Sequence, residues 1–244
     1  MRKLANKVVK QLVCLFLSII VILPFYMVLI NSFKSKGEAA RMKLSLPTEW
    51  FFSNYTEVIE KGRLIRGFFN SVFYAGISTT IAVVTCAMAA FVICRNRTKI
   101  NNFLYYFILC GLFFPVNYVT LIKVLNVFHL TNSRMGILIV FISSMIPFCV
   151  FTIRNFILSV PVELDEAAVI DGAGPLKLFF IIITPLLKPT LVTCFILQFM
   201  SVWNDFLTPL YLSSDSKLFP MTMSVYQFFG KNKNIGIIFM QILF

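Results

Sequence analysis

The chain has 244 residues, of which 59% are hydrophobic and 13% charged, with a mean hydropathy of +0.86. Soluble domains run at roughly 45–50% apolar and about 25% charged residues, so this composition excludes a soluble enzyme and requires an integral membrane protein. The net charge of +12 is spread between apolar runs, as at the flanks of membrane helices, and implies no nucleic-acid partner.

A membrane-spanning helix needs about 20 predominantly apolar residues. Residues 11–30 supply the first. Arg2, Lys3, Lys7 and Lys10 precede it, as in a signal peptide. Its apolar run exceeds the ~7–15 residues of a signal core, however, and no small-x-small cleavage site follows closely, so it is read as a retained anchor. A polar segment over about 31–66 comes next, then apolar stretches at about 68–94, 103–122, 136–157 and 187–211. Pro115 is expected to kink the third span, 103–122, and to free a backbone carbonyl there. The last apolar run, Ile235 to Phe244, would make a helix of about 15 Å, half a bilayer. The expected architecture is an all-α integral membrane bundle of about six transmembrane helices with the last one incomplete. Residues 1–66 form an N-terminal helix and extracytoplasmic loop, and 67–244 a transmembrane core whose C-terminal end reads as truncated.

The six cysteines (Cys14, Cys86, Cys94, Cys110, Cys149, Cys194) lie in or beside apolar stretches without a C-x-x-C pair, and His129 is the sole histidine. Metal-ligand spacing is therefore missing, and the cysteines read as small buried hydrophobes. No cofactor motif is present. The G-x-x-x-x-G-K-[ST] phosphate loop is absent, so any ATP that drives this protein must bind another subunit. Asn54-Tyr-Thr56 and Asn96-Arg-Thr98 match glycosylation sequons by chance.

With the N-terminus inside, ten Lys and Arg residues fall on the cytoplasmic side and twelve outside, seven of them in the long first loop. A raw count thus runs against the positive-inside rule. Restricted to short segments near span ends, the basic N-terminus and the Arg95–Lys99 turn favour N-inside. Alternating spans then place the loop at 158–184 in the cytoplasm.

That loop is the chain's most distinctive segment. Glu163, Asp165, Glu166 and Asp171, four of the ten acidic residues, fall within nine positions between apolar runs. The expected form is two short helices joined by a turn. Pro161 suits a first helical turn, and the acids occupy the early turns, where the helix dipole favours them. Ala167 and Ala168 offer a small surface on which a partner's backbone can approach. Gly172 and Gly174 break the helix and Pro175 restarts it. The order Pro161, Glu166-Ala-Ala168, Asp171-Gly172-Ala173, Phe179, Ile182, Pro185, Pro189 resembles the EAA loop of ABC importer permeases, the surface on which the transport ATPase docks. Thr184 departs from it, standing where the pattern has Leu. Glu38-Ala39-Ala40 repeats the triplet but has Leu44 where the glycine belongs, and is read as noise.

The resemblance extends along the chain to about residue 230 and narrows to the maltose-type carbohydrate permeases, single-domain six-span branch. Its pieces are Asn31-Ser-Phe-Lys34, Pro47 with Trp50 and Asn54-Tyr55, Asn70-Ser71, Phe114-Pro115, Ile146-Pro147-Phe148 and Trp203-Asn204-Asp205-Phe206. The run Val116-Asn117-Tyr118-Val119 departs from the family pattern, as does the end after Lys231-Asn-Lys-Asn234. The resemblance implies a type I importer (MetI-like) permease bundle in a bacterial plasma membrane, without enzymatic activity and without a cofactor. Implied partners are a second homologous permease, two cytoplasmic ABC ATPase domains and an extracytoplasmic sugar-binding protein, besides membrane lipid. The implied ATPase-docking residues, within a loop spanning 158–185, are Glu163, Glu166, Ala167, Ala168, Asp171, Gly172 and Pro175.

Polar groups inside spans usually face a bundle interior or a water-filled cavity, which makes Asn204 and Asp205, and Asn117 and Tyr118 after Pro115, candidate substrate-path residues. The alternative for Asp205 is a helix cap or a pair with Lys217. Another solute, such as an amino acid or phosphate, is the nearest rival substrate. A secondary ion-coupled transporter predicts acids near mid-span and an inverted repeat, and the sequence has neither.

Overall fold

The computed structural model describes residues 2–231, which contain helices and no strand. These residues divide between two compact units, 2–65 with 224–231 and 66–223.

In the first unit, α1 (Arg2–Ser32) is followed by two short helices, α2 (Lys36–Ala39) and α3 (Ser53–Lys61). The polar run after α1 is folded around its own backbone. Lys34 is fully buried and its ammonium donates to Asn31 Oδ1 (3.0 Å) and to the Lys43 carbonyl (2.8 Å). Asn54 Nδ2 donates to the carbonyls of Ser32 and Lys34, both at 3.0 Å, and the Phe33 ring packs against Trp50, Phe52 and Tyr55 at 5.2–5.3 Å. Buried polar groups need partners such as these. The Asn54 amide is therefore committed to the fold. The second Glu-Ala-Ala copy sits on the four-residue α2, with Glu38 accepting from Thr48 and Ala39 buried, which leaves it no helix face to present.

The second unit is built on α4 (Leu64–Arg95), α5 (Lys99–Cys110), α6 (Tyr118–Val127), α7 (Arg134–Ile157) and α10 (Thr184–Asn204). α7 lies at its centre. Phe141, Met145, Cys149, Ile153 and Ile157 recur every four residues and are buried, the spacing of one helix face. α4 offers small side chains at Ser71, Ala75, Thr79, Ala82, Cys86 and Ala90, all buried, which permits the close approach that membrane helices use in place of a hydrophobic drive. Its Tyr74 and Cys86 meet α7 at Phe141 and at the Ile146 carbonyl.

Among the described residues four helices are long and apolar enough to cross a membrane: Val9–Ser32, Leu64–Arg95, Arg134–Ile157 and Pro175–Asn204. The expected third span at 103–122 is broken rather than kinked. α5 ends at Cys110 and α6 starts at Tyr118, with no helix between. Two local features cause the break. Phe114 precedes Pro115 and is disfavoured in helical geometry, and Asn117 caps α6 by accepting the Thr120 N–H at 3.2 Å. Gly111 ends α5 against α7, where an added Cβ would lie 2.8 Å from Pro147 Cγ, so the glycine permits the contact. The fifth apolar stretch, expected at 187–211, ends at Asn204; α11 (Leu207–Leu212) is a separate helix. The last described helix is α12 (Met221–Lys231). The apolar run at 235–244 lies outside the described residues.

The segment between α11 and α12 is held to the unit by Asn70 and Ser71, which entered the sequence reading only as part of the resemblance, and by Tyr74 and Asn132. Asn70 Nδ2 donates to the carbonyls of Lys217 and Phe219 (both 2.9 Å), and Tyr74 to that of Leu218 (3.1 Å). Ser71 Oγ accepts from the Met221 N–H, and Asn132 Oδ1 from the N–H groups of Ser214 and Asp215. Asn132 adopts φ +52°, which Asn tolerates better than most residues.

Candidate functional site

The acidic loop folds as α8 (Glu163–Ile170), α9 (Pro175–Lys177) and a π-helix over Leu178–Ile183 that runs into α10. Asp165 and Glu166 N–H groups close the first turn on the Val162 carbonyl, and Glu163, Asp165 and Glu166 occupy that turn, where the positive helix end stabilises them. Pro161 stands just outside the helix it was expected to begin.

The stop at Gly172 has a specific geometry. Ala173 N–H donates to the Ala168 carbonyl (2.9 Å) and Gly172 N–H to that of Val169 (3.0 Å), the crossed pair of a Schellman motif. Gly172 carries φ +76°, a conformation that costs a residue with a Cβ about 1–2 kcal/mol. Gly174 then turns extended and Pro175 starts α9 at N1, where its missing N–H has no intrahelical acceptor to serve.

Glu163, Leu164, Glu166, Ala167, Val169, Ile170, Asp171, Gly172 and Pro175 are exposed, with Ile170 at 84%. The result is a rim of carboxylates around bare aliphatic side chains. Ala168 departs from expectation. It is buried at 5% exposure, because the inward side of α8 packs on its own chain, so the small-residue surface reduces to Ala167. Asp165 also points to its own chain. Arg95 Nε lies 2.6 Å from Asp165 Oδ2, and Arg95 Nη2 donates to Asp165 Oδ1 (3.3 Å) and to the Val160 carbonyl (3.2 Å). The Arg154 guanidinium lies 3.9 Å over the Tyr105 ring, a cation–π contact joining α7 to α5. Thr184, the departure from the pattern, donates its hydroxyl to the Phe179 carbonyl (2.8 Å) and so satisfies an acceptor of the π-helix.

The candidate path residues are not brought together as one polar site. Asp205 takes up the cap alternative: Oδ1 accepts the Thr208 N–H (3.0 Å) and Oδ2 the Thr208 hydroxyl (2.6 Å), which starts α11. It makes no ion pair with Lys217, whose own N–H donates to Asp215. Asn117 caps α6, and Tyr118 stacks on Tyr211 with ring centroids 4.7 Å apart. Asn204 ends α10 with its side chain exposed. On α10, Phe195, Phe199 and Trp203 form a stacked ladder, and Trp203 meets Phe68 of α4 edge-on at 5.7 Å. Among the described residues no His, Cys, Asp and Glu group could hold a metal ion.

Comparison with known proteins places this geometry. The family "Binding-protein-dependent transport system inner membrane component" matches residues 82–244. The chain is 35% identical over 210 residues to the diacetylchitobiose uptake system permease protein NgcG of Streptomyces coelicolor, covering 85% of this chain and 70% of the relative. It is 32% identical over 215 residues to the melibiose/raffinose/stachyose import permease protein MelC of Bacillus subtilis, covering 87% and 78%. A chain of a bacterial ABC transporter involved in the import of the acidic polysaccharide alginate superposes with a TM-score of 0.82 at 20% identity, over 98% of this chain and 92% of that one; this likeness shows the fold. ATP hydrolysis in such systems belongs to a separate subunit. The chain belongs to the family of binding-protein-dependent transport system inner membrane components: it is a multi-pass ABC importer permease, and not an enzyme.

Proposed function

We propose that this permease imports an oligosaccharide and receives the force of ATP hydrolysis through α8. The observation that carries the coupling half is the exposed edge of α8. Its carboxylates ring Leu164, Val169 and Ile170, and the Gly172 stop presents that edge as a short, bounded helix. Exposed aliphatic side chains beside a charged rim are the composition of a protein interface, and they suit a basic-rimmed groove on an ATPase. Glu163, Glu166, Ala167, Asp171, Gly172 and Pro175 make up this docking surface, and Ala168 supports it from beneath. The N-terminus is cytoplasmic, so the loop faces the ATPase. Closure of an ATPase dimer on ATP draws this helix toward its counterpart in a second, homologous permease. The two permeases together line the path, and an extracytoplasmic binding protein delivers the solute.

The sugar assignment draws on relatives that import diacetylchitobiose and melibiose, raffinose or stachyose. With Asn117 and Asp205 committed to caps, Asn204 and Tyr118 remain the residues of this subunit placed to meet the solute. Reconstitution tests the reading. Proteoliposomes holding both permeases and the ATPase, supplied with binding protein, should accumulate labelled raffinose or diacetylchitobiose only with hydrolysable ATP. A Glu166→Lys loop should lose the ATPase. Uptake that ignores ATP and collapses with a proton ionophore would assign the chain to ion-coupled transport instead.

A further inference from the structure

We propose that Arg95 is a positioning residue that ties the docking helix to α4, so that force applied at α8 enters the bundle through α4 as well as through the covalent connection to α10. The inference rests on the reading of α8 as the ATPase dock. Sequence continuity joins the loop only to α7, through residues 158–162, and to α10, through the π-helix. The contacts add α4. Arg95 is its last residue, and its guanidinium reaches both the Asp165 carboxylate inside α8 and the Val160 carbonyl just before it. The side chains of both partners are largely enclosed, at 15% and 13% exposure. One turn earlier on α4, Phe91 packs on Phe179 of the π-helix with centroids 5.5 Å apart. Arg suits this task because its planar fork holds two acceptors at once, and a pair withdrawn from water is screened far less than an exposed one. Asp165 thereby differs from its neighbours Glu163 and Glu166: it faces the permease and they face outward. A further consequence concerns the π-helix. Its i→i+5 bonds are a rare, widened helical form found often at functional positions, and here it lies between the docking helix and α10. The Arg95 tie therefore reaches the bundle by a route that does not pass through the π-helix.

The test uses the assembled complex of both permeases with the ATPase and needs no knowledge of the sugar. Hydrogen exchange is followed in α8 and in α4 residues 88–95 with and without ATP plus vanadate. In the wild type both segments should respond. In Arg95→Gln and in Asp165→Asn the ATPase should stay bound and α8 should still respond. The response of α4 should fall about fivefold, the effect of losing roughly 1 kcal/mol of coupling, and the charge exchange Arg95→Asp with Asp165→Arg should restore it. An unchanged α4 response in the single variants, or an exchange that restores nothing, overturns the proposal. Loss of the ATPase from the single variants does so too, because it would assign the pair to the docking surface. If the wild-type complex itself retains no ATPase, the docking reading fails first, and that result is separable from the others.

Discussion

Replacement of Gly172 separates two reasons for a glycine at the end of α8, the helix proposed to dock the ATPase. A Cβ built there meets nothing within 4 Å, and the backbone stands at φ +76°. Steric conflict inside this chain is therefore absent, and the penalty for Gly172→Ala is the left-handed backbone alone, about 1–2 kcal/mol, reduced by up to about 0.4–1 kcal/mol because Ala also restricts the unfolded chain. A net cost near 1 kcal/mol lowers the equilibrium constant for the stopped helix, and with it the affinity of any partner that requires it, by up to about fivefold. Asn adopts this conformation readily, so Gly172→Asn should cost much less. The assay is ATPase retained per permease on co-purification, with permease recovered from membranes as the control for insertion. The prediction is equal insertion, about fivefold weaker ATPase retention for Ala, and near-normal retention for Asn. If Ala binds like the wild type, the Schellman stop has no part in docking. If Asn fails as badly as Ala or worse, the glycine serves the close approach of a partner and not the backbone turn.

Other residues give shorter tests. Asp205→Ala removes the cap of α11 and should destabilise the permease by about 1 kcal/mol, while Asp205→Asn keeps an acceptor and should cost less; neither should change the apparent KM for the imported sugar, and a raised KM with unchanged stability would return Asp205 to the path. His129 ends α6 at φ +55° with Leu130 N–H donating to the Leu125 carbonyl, a left-handed stop without glycine, so His129→Gly should raise stability by about 0.5–1 kcal/mol, read as a higher thermal midpoint in detergent. Asn70→Leu leaves the buried Phe219 carbonyl without its donor and removes the contacts to the Lys217 carbonyl and the Arg134 guanidinium, and should cost about 1–3 kcal/mol; a variant as stable as the wild type would remove Asn70 as the holder of the segment between α11 and α12.

The membrane class and the helical stop and restart of the acidic loop were legible in the sequence, because both rest on local signals. Apolar runs report lipid through composition, and Gly172 with Pro175 reports a helix stop and restart through backbone preference alone. The broken third span was not legible by composition. Residues 103–122 are apolar throughout, and the break depends on an Asn117 cap and on a Gly111 that admits Pro147 from another helix. Asp205 looked like a path residue because acids are costly in spans, yet its carboxylate closes onto a threonine three residues on, a contact that spacing leaves open. Ala168 shows the limit of a motif: the triplet gave its identity, and only the packing of α8 decided which alanine faces outward. The Arg95–Asp165 tie joins positions 70 residues apart, so no local pattern could carry it.

Cysteine cross-linking at adjacent positions tests the docking surface most directly. In a permease whose native cysteines are replaced, Ala167→Cys on the exposed face of α8 should form a cross-linked product with lysines of the co-assembled ATPase when a short thiol- and amine-reactive heterobifunctional reagent is added. Ala168→Cys, one residue further and buried, should not, and neither should Ala40→Cys in the second Glu-Ala-Ala copy. Cross-linking at Ala167 alone is the result this account predicts. An ATPase product at Ala40, or none at Ala167 in a complex that hydrolyses ATP, would contradict it.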